Sequence, residues 1–332
     1  MRILVADTFP EASRAELHQR GHDCSYEPDI TAEDLPKGIR GYDALVVRST
    51  KVTADALAAA NRLQLVIRAG SGTNTIDTTA ASRHGISVCN VPGRNAVAVA
   101  ELAVGLLLAV DRRIPDNVAQ LRAGEWNKKE FQRARGVKGR RIGIVGLGDI
   151  GLAFAERVAA FGTSVHAVAK RGRDTATLER ARAIGVTYVD TLETLVATCD
   201  VLSLHVPGGE STRGLVGRGL LGLMWPGTIL INTSRGDVID EAALLEAMDA
   251  KGIRVGLDVF PDEPTTATAH FDSPLTRHPN VYGTHHIGAS TEQAQQSVAD
   301  GVLEIVDAFT AGTLLHCVNR DLNPASLGAD GS

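Results

Sequence analysis

Short apolar segments alternate with longer amphipathic ones along most of this chain. Segments with helical periodicity, such as 149–162 and 240–252, each end in Gly. Continuous apolar strands separated by helices are typical of parallel sheets covered on both faces. The pattern therefore predicts an α/β protein with a buried helix at 96–112 and a last helix at about 290–311. The predicted strands are 3–6, 43–49, 64–70, 141–146, 164–169, 201–206, 228–234 and 254–260.

Length and composition narrow the class of protein. The chain has 332 residues, with 34 basic and 39 acidic side chains, a formal charge of −5 and 44% hydrophobic residues. This length predicts two compact units. The acidic balance and the apolar content argue against a strongly basic nucleic-acid binder and against a disordered chain.

Cysteine usage and the absence of targeting patterns point to the cytoplasm. The four cysteines are scattered and form no CxxC pair. This predicts a reduced protein without a disulfide framework or a zinc site. The start, MRILVADTFP, has no small-residue cleavage site, and the most apolar run, 103–110, is too short to cross a bilayer. We therefore expect a cytoplasmic location and no membrane partner.

A glycine motif predicts a dinucleotide site in the middle of the chain. Residues 141–151 read RIGIVGLGDIG, which places Gly146, Gly148 and Gly151 after an apolar strand and at the start of a helix. The first glycine allows a tight turn, the second lets a pyrophosphate approach, and the third lets helix and strand pack closely. Asp149 and Ile150 would begin the helix whose N–H groups face the anion.

The end of the next strand bears on the choice between NAD and NADP. An NAD site places Asp or Glu there to bind the ribose 2′-hydroxyl. This chain has Ala169 instead, followed by Lys170, Arg171 and Arg173. Since no carboxylate would repel a 2′-phosphate and cations could bind it, we expect NADP or NAD, with NADP favoured. The alternative interpretation is a solvated basic loop.

Three later motifs carry a family resemblance. The segments NTSRGDVID (232–240), LDVFPDEP (257–264) and THHIGAST (284–291) follow in order. With them the chain resembles the D-isomer-specific 2-hydroxyacid dehydrogenases, and within these the phosphoglycerate dehydrogenase branch. The resemblance implies a Rossmann cofactor-binding domain at 98–285, inserted into a smaller flavodoxin-like substrate-binding domain at 1–97 and 286–332. It also implies a homodimer or homotetramer.

The resemblance assigns catalytic roles to Arg235, Glu263 and His286. An Arg can hold a substrate carboxylate in a planar fork, and a His titrates near neutral pH. A carboxylate beside that His favours its charged form and fixes its orientation. His285 stands where the family usually has Pro, and the His-Ile-Gly context selects His286. No carboxylate or Cys at ligand spacing suggests a metal at the His pair.

Further cofactor positions follow from the resemblance alone. Asp258 corresponds to the residue that binds the nicotinamide carboxamide. His205 and Pro207 correspond to a turn beside the adenine ribose. Thr233 and Ser234 correspond to the nicotinamide side of the site.

Substrate positions are carried over in the same way. The segment 68–77 resembles the family's carboxylate-binding loop, whose backbone N–H groups would form an anion nest. The motif 46–51 resembles the basic segment that receives a substrate phosphate. The predicted substrate residues are Arg48, Lys51, Arg68, Gly70, Ser71, Gly72 and Asn95.

Three functions remain open at this point. The resemblance favours oxidation of a D-2-hydroxy acid to its 2-keto acid, most of all 3-phosphoglycerate to 3-phosphohydroxypyruvate. The second possibility is a hydroxypyruvate or glyoxylate reductase, which a preference for NADP would favour. The third is a dinucleotide-sensing, corepressor-like binding protein, although it would not need the three catalytic residues. Because the chain stops soon after the last predicted helix, we expect no C-terminal regulatory domain.

Overall fold

Two parallel sheets organise the chain, each in a unit of its own. The computed structural model describes residues 1–264 and 268–320. One unit comprises Met1–Asn95 and Ser290–Ser332, and the other comprises Ala96–Ala289. The predicted substrate-binding segment at 321–332 lies outside the described residues.

The first unit is built on a five-stranded parallel sheet with the order β2-β1-β3-β4-β5. This order is that of flavodoxin-like folds. Except for Arg2 and Arg68 at strand ends, the inner strands are apolar and buried because helices cover both faces. The strands are β1 Arg2–Val5, β2 Asp23–Tyr26, β3 Ala44–Val47, β4 Leu65–Arg68 and β5 Ser87–Asn90, and the helices are α1 Glu11–Gln19, α2 Leu35–Gly38, α3 Ala54–Ala59 and α4 Thr78–Arg83.

The second unit carries a seven-stranded parallel sheet with the order β12-β11-β10-β9-β6-β7-β8. The order reverses between β6 and β9, as in Rossmann folds, where ligands bind at the carboxyl ends of the strands flanking this point. The helices are α5 Ala96–Arg112, α6 Ile114–Arg122, α7 Asp149–Ala159, α8 Thr175–Ile184, α9 Leu192–Thr198, α10 Arg218–Leu223, α11 Glu241–Lys251 and α12 Pro274–Arg277. The strands are β6 Arg141–Val145, β7 Ser164–Val168, β8 Thr187–Val189, β9 Val201–Leu204, β10 Ile229–Asn232, β11 Arg254–Leu257 and β12 Val281–Gly283.

The two longest helices lie where the pattern predicts them. The predicted buried helix is α5, and the predicted last helix is α13, which spans Glu292–Thr310 and belongs to the first unit. The Thr291 hydroxyl caps α13 by accepting a hydrogen bond from the Ala294 N–H. At Gly301 of this helix an added Cβ would lie 2.5 Å from Val91 Cγ1, so only glycine allows this close approach to the segment after β5. No described helix is both long and apolar enough to cross a membrane.

Four strands are not predicted by the sequence pattern, and all four lie at the edges of the sheets. They are β2 and β5 of the first sheet and β8 and β12 of the second. β2, β8 and β12 are only partly buried and so need fewer apolar residues than a central strand, whereas β5 is buried but reads Ser-Val-Cys-Asn, with two polar residues in four. β2, for example, reads Asp-Cys-Ser-Tyr and is only partly buried.

Candidate active site

The glycine turn between β6 and α7 is shaped by backbone contacts. Gly146 has φ +99°, and an added Cβ there would lie 2.4 Å from the His205 carbonyl oxygen. An added Cβ at Gly151 would lie 2.1 Å from the Gly146 oxygen, whereas one at Gly148 would meet nothing within 4 Å. Gly146 and Gly151 therefore permit close packing. Gly148 leaves open space at the start of α7, where N–H groups can face an anion.

Two buried polar atoms of the second unit, one beside this turn and one just after β10, lack a hydrogen-bond partner among the described residues. They are Nδ1 of His205 and Oγ1 of Thr233. Nε2 of His205 lies 2.9 Å from the Ser203 hydroxyl oxygen. Burial lowers the pKa of His205 to about 3, so its ring is neutral at pH 7. An unpaired buried polar atom of His205 beside the open start of α7 fits a bound dinucleotide, which could supply the missing hydrogen bond.

The turn that carries Arg235 is held by the buried side chain of Asn232 at the end of β10. The Asn232 Oδ1 accepts hydrogen bonds from the Ser234 N–H at 3.0 Å and the Ser234 hydroxyl at 2.6 Å. Its Nδ2 donates to the Arg235 carbonyl at 2.8 Å. At Gly236 an added Cβ would lie 2.1 Å from the Phe260 carbonyl carbon, so this turn packs directly on the backbone that leads to Glu263.

Glu263 and His286 form a hydrogen-bonded pair. His286 Nδ1 lies 2.5 Å from Glu263 Oε1, and Glu263 Oε2 accepts from the Phe260 N–H at 3.2 Å. Burial raises the pKa of the Glu263 carboxyl, but the hydrogen bond and charge of His286, together with the Phe260 N–H and the charge of Arg235, outweigh burial and lower it. Glu263 is therefore ionised at neutral pH, and as a carboxylate it accepts a hydrogen bond from His286 Nδ1.

The loop that carries His286 is fixed by Asp258, directly after β11. The Asp258 carboxylate is 1% exposed and accepts hydrogen bonds from the Thr284 hydroxyl at 2.6 Å and from the N–H groups of Ile287 and Gly288, both at 2.8 Å. The His286 N–H donates to the Asp258 carbonyl oxygen at 2.8 Å. These four bonds hold His286 at φ +52°, a conformation that non-glycine residues rarely adopt.

The predicted basic residues of the first unit lie at the ends of β3 and β4. The Asp7 carboxylate accepts from the N–H groups of Arg48, Ser49 and Thr50 at 2.6–3.1 Å and so shapes this turn. The Arg48 guanidinium contacts the Ser290 hydroxyl oxygen at 3.3 Å, and no described carboxylate forms an ion pair with it. Lys51, three residues further on, is exposed.

The predicted anion nest at Gly70–Gly72 needs one correction. The Gly70 N–H donates to the Arg68 carbonyl at 2.8 Å, so it does not face a ligand. The Arg68 side chain lies over Gly70, where an added Cβ would be 1.5 Å from Nη1. The Ser71 hydroxyl contacts Asn95 Oδ1 at 3.2 Å. Of the three residues predicted to form the nest, Ser71 and Gly72 therefore keep their N–H groups as candidate donors.

The cationic loop after β7 divides into two parts. Arg173 folds back, donates to the Val168 carbonyl at 2.9 Å and lies over the Tyr188 ring at 5.4 Å. Lys170 and Arg171 are exposed, and neither pairs with a described carboxylate. Two of the three cations are thus available at the end of the strand.

The residues that the sequence did not predict are those whose side chains fix the loops of the predicted site residues. Asp7, Asn232 and Thr284 fix loops through side-chain hydrogen bonds, and Asp258 does so in addition to its predicted cofactor role. The sequence shows Asn232 as a polar residue at the end of an apolar strand. It does not show the conformation of the following turn, which contains the hydrogen-bond partners of Asn232. Within the described residues no cluster of three or more His, Cys, Asp or Glu side chains could hold a metal ion.

Comparison with known proteins places this site in a family. The model of "D-isomer specific 2-hydroxyacid dehydrogenase, NAD binding domain" matches residues 104–288, which include the glycine turn, Arg235, Glu263 and His286. A D-3-phosphoglycerate dehydrogenase of Archaeoglobus fulgidus is 38% identical over 94% of this chain and 58% of its own length. This chain thus spans little more than half the length of that relative.

Two further relatives are matched over nearly all of their length. A hydroxypyruvate reductase of Thermotoga maritima is 41% identical over 84% of this chain and 90% of its own. The structure of an NADPH-dependent glyoxylate/hydroxypyruvate reductase of Sinorhizobium meliloti, in complex with NADP and malonate, has a TM-score of 0.80 and 30% identity over 96% of each chain. These matches confirm the predicted α/β fold, and the chain belongs to the D-isomer-specific 2-hydroxyacid dehydrogenases.

Proposed function

We propose that this chain is a dehydrogenase that interconverts a D-2-hydroxy acid and its 2-keto acid with NADP or NAD. The Glu263–His286 pair carries the proposal, because an ionised carboxylate 2.5 Å from an imidazole is an acid–base device in the same unit as the glycine turn. The bound nicotinamide would supply or accept the hydride. The favoured substrate pair is 3-phosphoglycerate and 3-phosphohydroxypyruvate.

In this mechanism His286 moves the proton. Because the Glu263 carboxylate only accepts hydrogen bonds, Nδ1 of His286 carries a proton and Nε2 is left to face the substrate. Nε2 takes the proton of the C2 hydroxyl during oxidation and returns it to the C2 oxygen during reduction. Glu263 stabilises the charged imidazolium formed in oxidation and keeps its ring oriented.

Arg235 is proposed to bind the substrate carboxylate and to polarise the C2 oxygen. Its guanidinium donates to the Ser234 carbonyl at 2.6 Å, a contact that limits its conformations. A planar guanidinium can donate two parallel hydrogen bonds to a carboxylate, which orients C2 for transfer. Within the first unit, the N–H groups of Ser71 and Gly72, with Asn95, are proposed as substrate-binding groups.

The cofactor is proposed to lie on the turn formed by Gly146, Gly148, Asp149, Ile150 and Gly151, with Lys170 and Arg171 toward the adenosine 2′-position. Two exposed cations without carboxylate partners and no acidic residue at Ala169 support NADP. His205, Pro207, Thr233, Ser234 and Asp258 are proposed to line the rest of the site. The cofactor and substrate domains would correspond to residues 98–285 and to 1–97 with 286–332.

Arg48, Lys51 and Arg68 are proposed to receive a substrate phosphate. Arg48 has no carboxylate partner in the described chain, so its charge is not neutralised. If the substrate has no phosphate, the same fold serves as a hydroxypyruvate or glyoxylate reductase, which the NADP-type loop favours. A sensor without catalysis remains the weakest candidate, since it would not require the Glu263–His286 pair.

Steady-state reduction of three keto acids separates these candidates. We expect 3-phosphohydroxypyruvate to be reduced with higher kcat/KM than hydroxypyruvate or glyoxylate, and NADPH to be used in preference to NADH. Arg48→Ala should lower kcat/KM for the phosphorylated acid alone. An equal loss on glyoxylate argues for the reductase. No turnover of any acid, with cofactor still bound, would support the sensor.

Neutralising the cationic loop tests the cofactor choice. Replacing both Lys170 and Arg171 by Ala should weaken NADPH binding at least tenfold and leave NADH binding nearly unchanged, because only NADPH carries the 2′-phosphate. Arg182→Ala, at an exposed cation of α8, is the matched control. An unchanged ratio of the two dissociation constants contradicts the 2′-phosphate interpretation.

A homodimer or homotetramer is proposed through the face of α6. Four large apolar side chains on this helix and just after it are exposed by 37–82%, and they are Ile114, Val118, Leu121 and Trp126. Contiguous exposed apolar groups mark association surfaces. Light scattering should give at least twice the monomer mass, and Leu121→Asp should reduce it.

A further inference from the structure

Cys89 and Cys317 face each other across two paired segments of the first unit. Cys89 lies in β5, and Cys317 lies in the chain after α13, with the two residues paired antiparallel. The N–H that follows each cysteine donates to the carbonyl that precedes its partner, from Asn90 to His316 at 3.2 Å and from Val318 to Val88 at 2.8 Å. The cysteines therefore occupy a non-hydrogen-bonded position of the pairing.

This position has the spacing that a disulfide requires. Residues opposite each other at a non-hydrogen-bonded position have Cα atoms about 4.5 Å apart, with side chains on the same face. Disulfides span Cα separations of about 4.4 to 6.8 Å. Cys89 and Cys317 could therefore be joined with little movement of the backbone.

The two thiols also differ in exposure and in pKa, and both differences favour disulfide formation. Cys89 is fully buried and Cys317 is partly exposed. The neighbouring Cys89 thiol lowers the pKa of Cys317 and, together with the backbone N–H groups of Asn319 and Val88, outweighs the opposite effect of burial. When protonated, the Cys317 thiol donates to Oδ1 of the buried Asn319 at 3.3 Å. The thiolate is the form that attacks disulfides, so Cys317 is the reachable and reactive member of the pair.

We propose that Cys89 and Cys317 form a reversible dithiol–disulfide site whose oxidant is a small-molecule disulfide. Cys317 loses its proton to solvent, and its thiolate then attacks one sulfur of the oxidant, forms a mixed disulfide and releases one small thiolate. Cys89 then loses its proton to solvent and attacks the Cys317 sulfur, which releases the second small thiolate. The protein loses two electrons and two protons, and the oxidant is reduced to two thiols.

The cross-link would join β5 to the segment after α13. A bond between residues 89 and 317 closes most of the chain into one loop and restricts the unfolded state. Asn90, next to Cys89, donates from Nδ2 to the Ser71 carbonyl at 2.6 Å, so the linked strand also supports the loop at 70–72. The oxidised form should therefore unfold at a higher temperature.

The experiment equilibrates the whole protein with reduced and oxidised glutathione at several ratios, quenches in acid and alkylates it in denaturant. Peptide mass mapping should show that two of the four cysteines lose alkylation in the oxidised form. A linked peptide should contain Cys89 and Cys317, while Cys24 and Cys199 stay alkylated. Dithiothreitol should restore all four thiols.

Thermal unfolding supplies the second readout. Wild type and the Cys24→Ser control should gain several degrees in Tm on oxidation, and Cys317→Ser should gain none. A persistent glutathione adduct on Cys317, a different linked pair or complete alkylation in excess oxidised glutathione each overturns the proposal. The mapping uses wild-type protein, so it decides the matter even if a variant fails to fold.

Discussion

Two neighbouring loops of the second unit present catalytic candidates by different means. The turn after β10 carries Arg235 and is held by Asn232, and the loop after β11 carries His286 and is held by Asp258. Both holding residues are buried, and each lies at the carboxyl end of a central strand. Asn232 carries an amide and Asp258 a carboxylate, and this difference follows from the hydrogen-bonding groups of the loop that each one holds.

The turn of Arg235 offers both kinds of hydrogen-bonding group, whereas the loop of His286 offers donors only. Asn232 accepts from Ser234 through its oxygen and donates to the Arg235 carbonyl through its nitrogen. Asp258 meets one hydroxyl and two N–H groups, which suit an acceptor-only carboxylate. The holding side chain is thus matched to the polarity of the loop, and exchanging the two types should damage each loop differently.

The largest effect on kcat should come from removing the His286 side chain itself. His286→Ala should lower kcat by about 10²- to 10⁴-fold, the usual contribution of a general acid–base. Cofactor affinity, measured by nicotinamide fluorescence, should stay within twofold because the imidazole acts on the substrate proton. His285→Ala is the matched control and should retain activity. Nearly unchanged turnover in the His286 variant would mean that another group moves the proton.

Exchanging the carboxylate for an amide should break the His286 loop. In Asp258→Asn an NH₂ group faces an N–H donor, so we expect a loss of about 2–4 kcal/mol in the free energy of unfolding, measured with urea. Displacement of His286 should lower kcat by about 10²-fold. Thr284→Val removes one of the three carboxylate bonds and should lower kcat less. A loss confined to cofactor binding would instead favour the predicted carboxamide contact.

The reverse exchange should affect the Arg235 turn. In Asn232→Asp the carboxylate cannot donate to the Arg235 carbonyl, and we expect the KM for the keto acid to rise about tenfold, equivalent to about 1.4 kcal/mol. kcat should fall less than in Asp258→Asn, because the acid–base pair stays in place. Asn280→Asp, at a polar position before β12, is a control. The comparison fails if both exchanges change kcat and KM in the same proportion.

The smallest effect concerns stability in acid. The pKa of Glu263 is lower in the folded protein than in an unfolded chain, so the unfolded state binds more protons as the pH falls. The stability from this pair is present above the ordinary carboxyl range and is lost as the pH falls through the folded pKa. Glu263→Gln should therefore be less stable than wild type at pH 6, with a gap of at most about 1 kcal/mol because the pair is partly exposed. The gap should close toward pH 3, and a constant gap in urea unfolding would contradict this linkage.

Much of the fold could be predicted because central strands and helices carry strong local patterns. The helix at 96–112 is predicted from its apolar run and is observed as α5. The edge strands β2, β8 and β12 could not be predicted, since each is only partly buried and needs fewer apolar residues. β5 is buried, but its four residues, Ser-Val-Cys-Asn, form no apolar run. Gly146, Gly148 and Gly151 were recognisable from their spacing, and the structure shows a steric demand for glycine at Gly146 and Gly151.

The sequence by itself determined the central strands, the two longest helices, the glycine turn and the order of the motifs that contain Arg235, Glu263 and His286. These depend on residues close together in the chain, where spacing sets geometry. Only the tertiary structure decided that Asp258 holds the loop of His286, that the Gly70 N–H donates to the Arg68 carbonyl, and that Cys89 pairs with Cys317. Such contacts join segments far apart in sequence, and sheet order and backbone direction place them without leaving a periodic pattern.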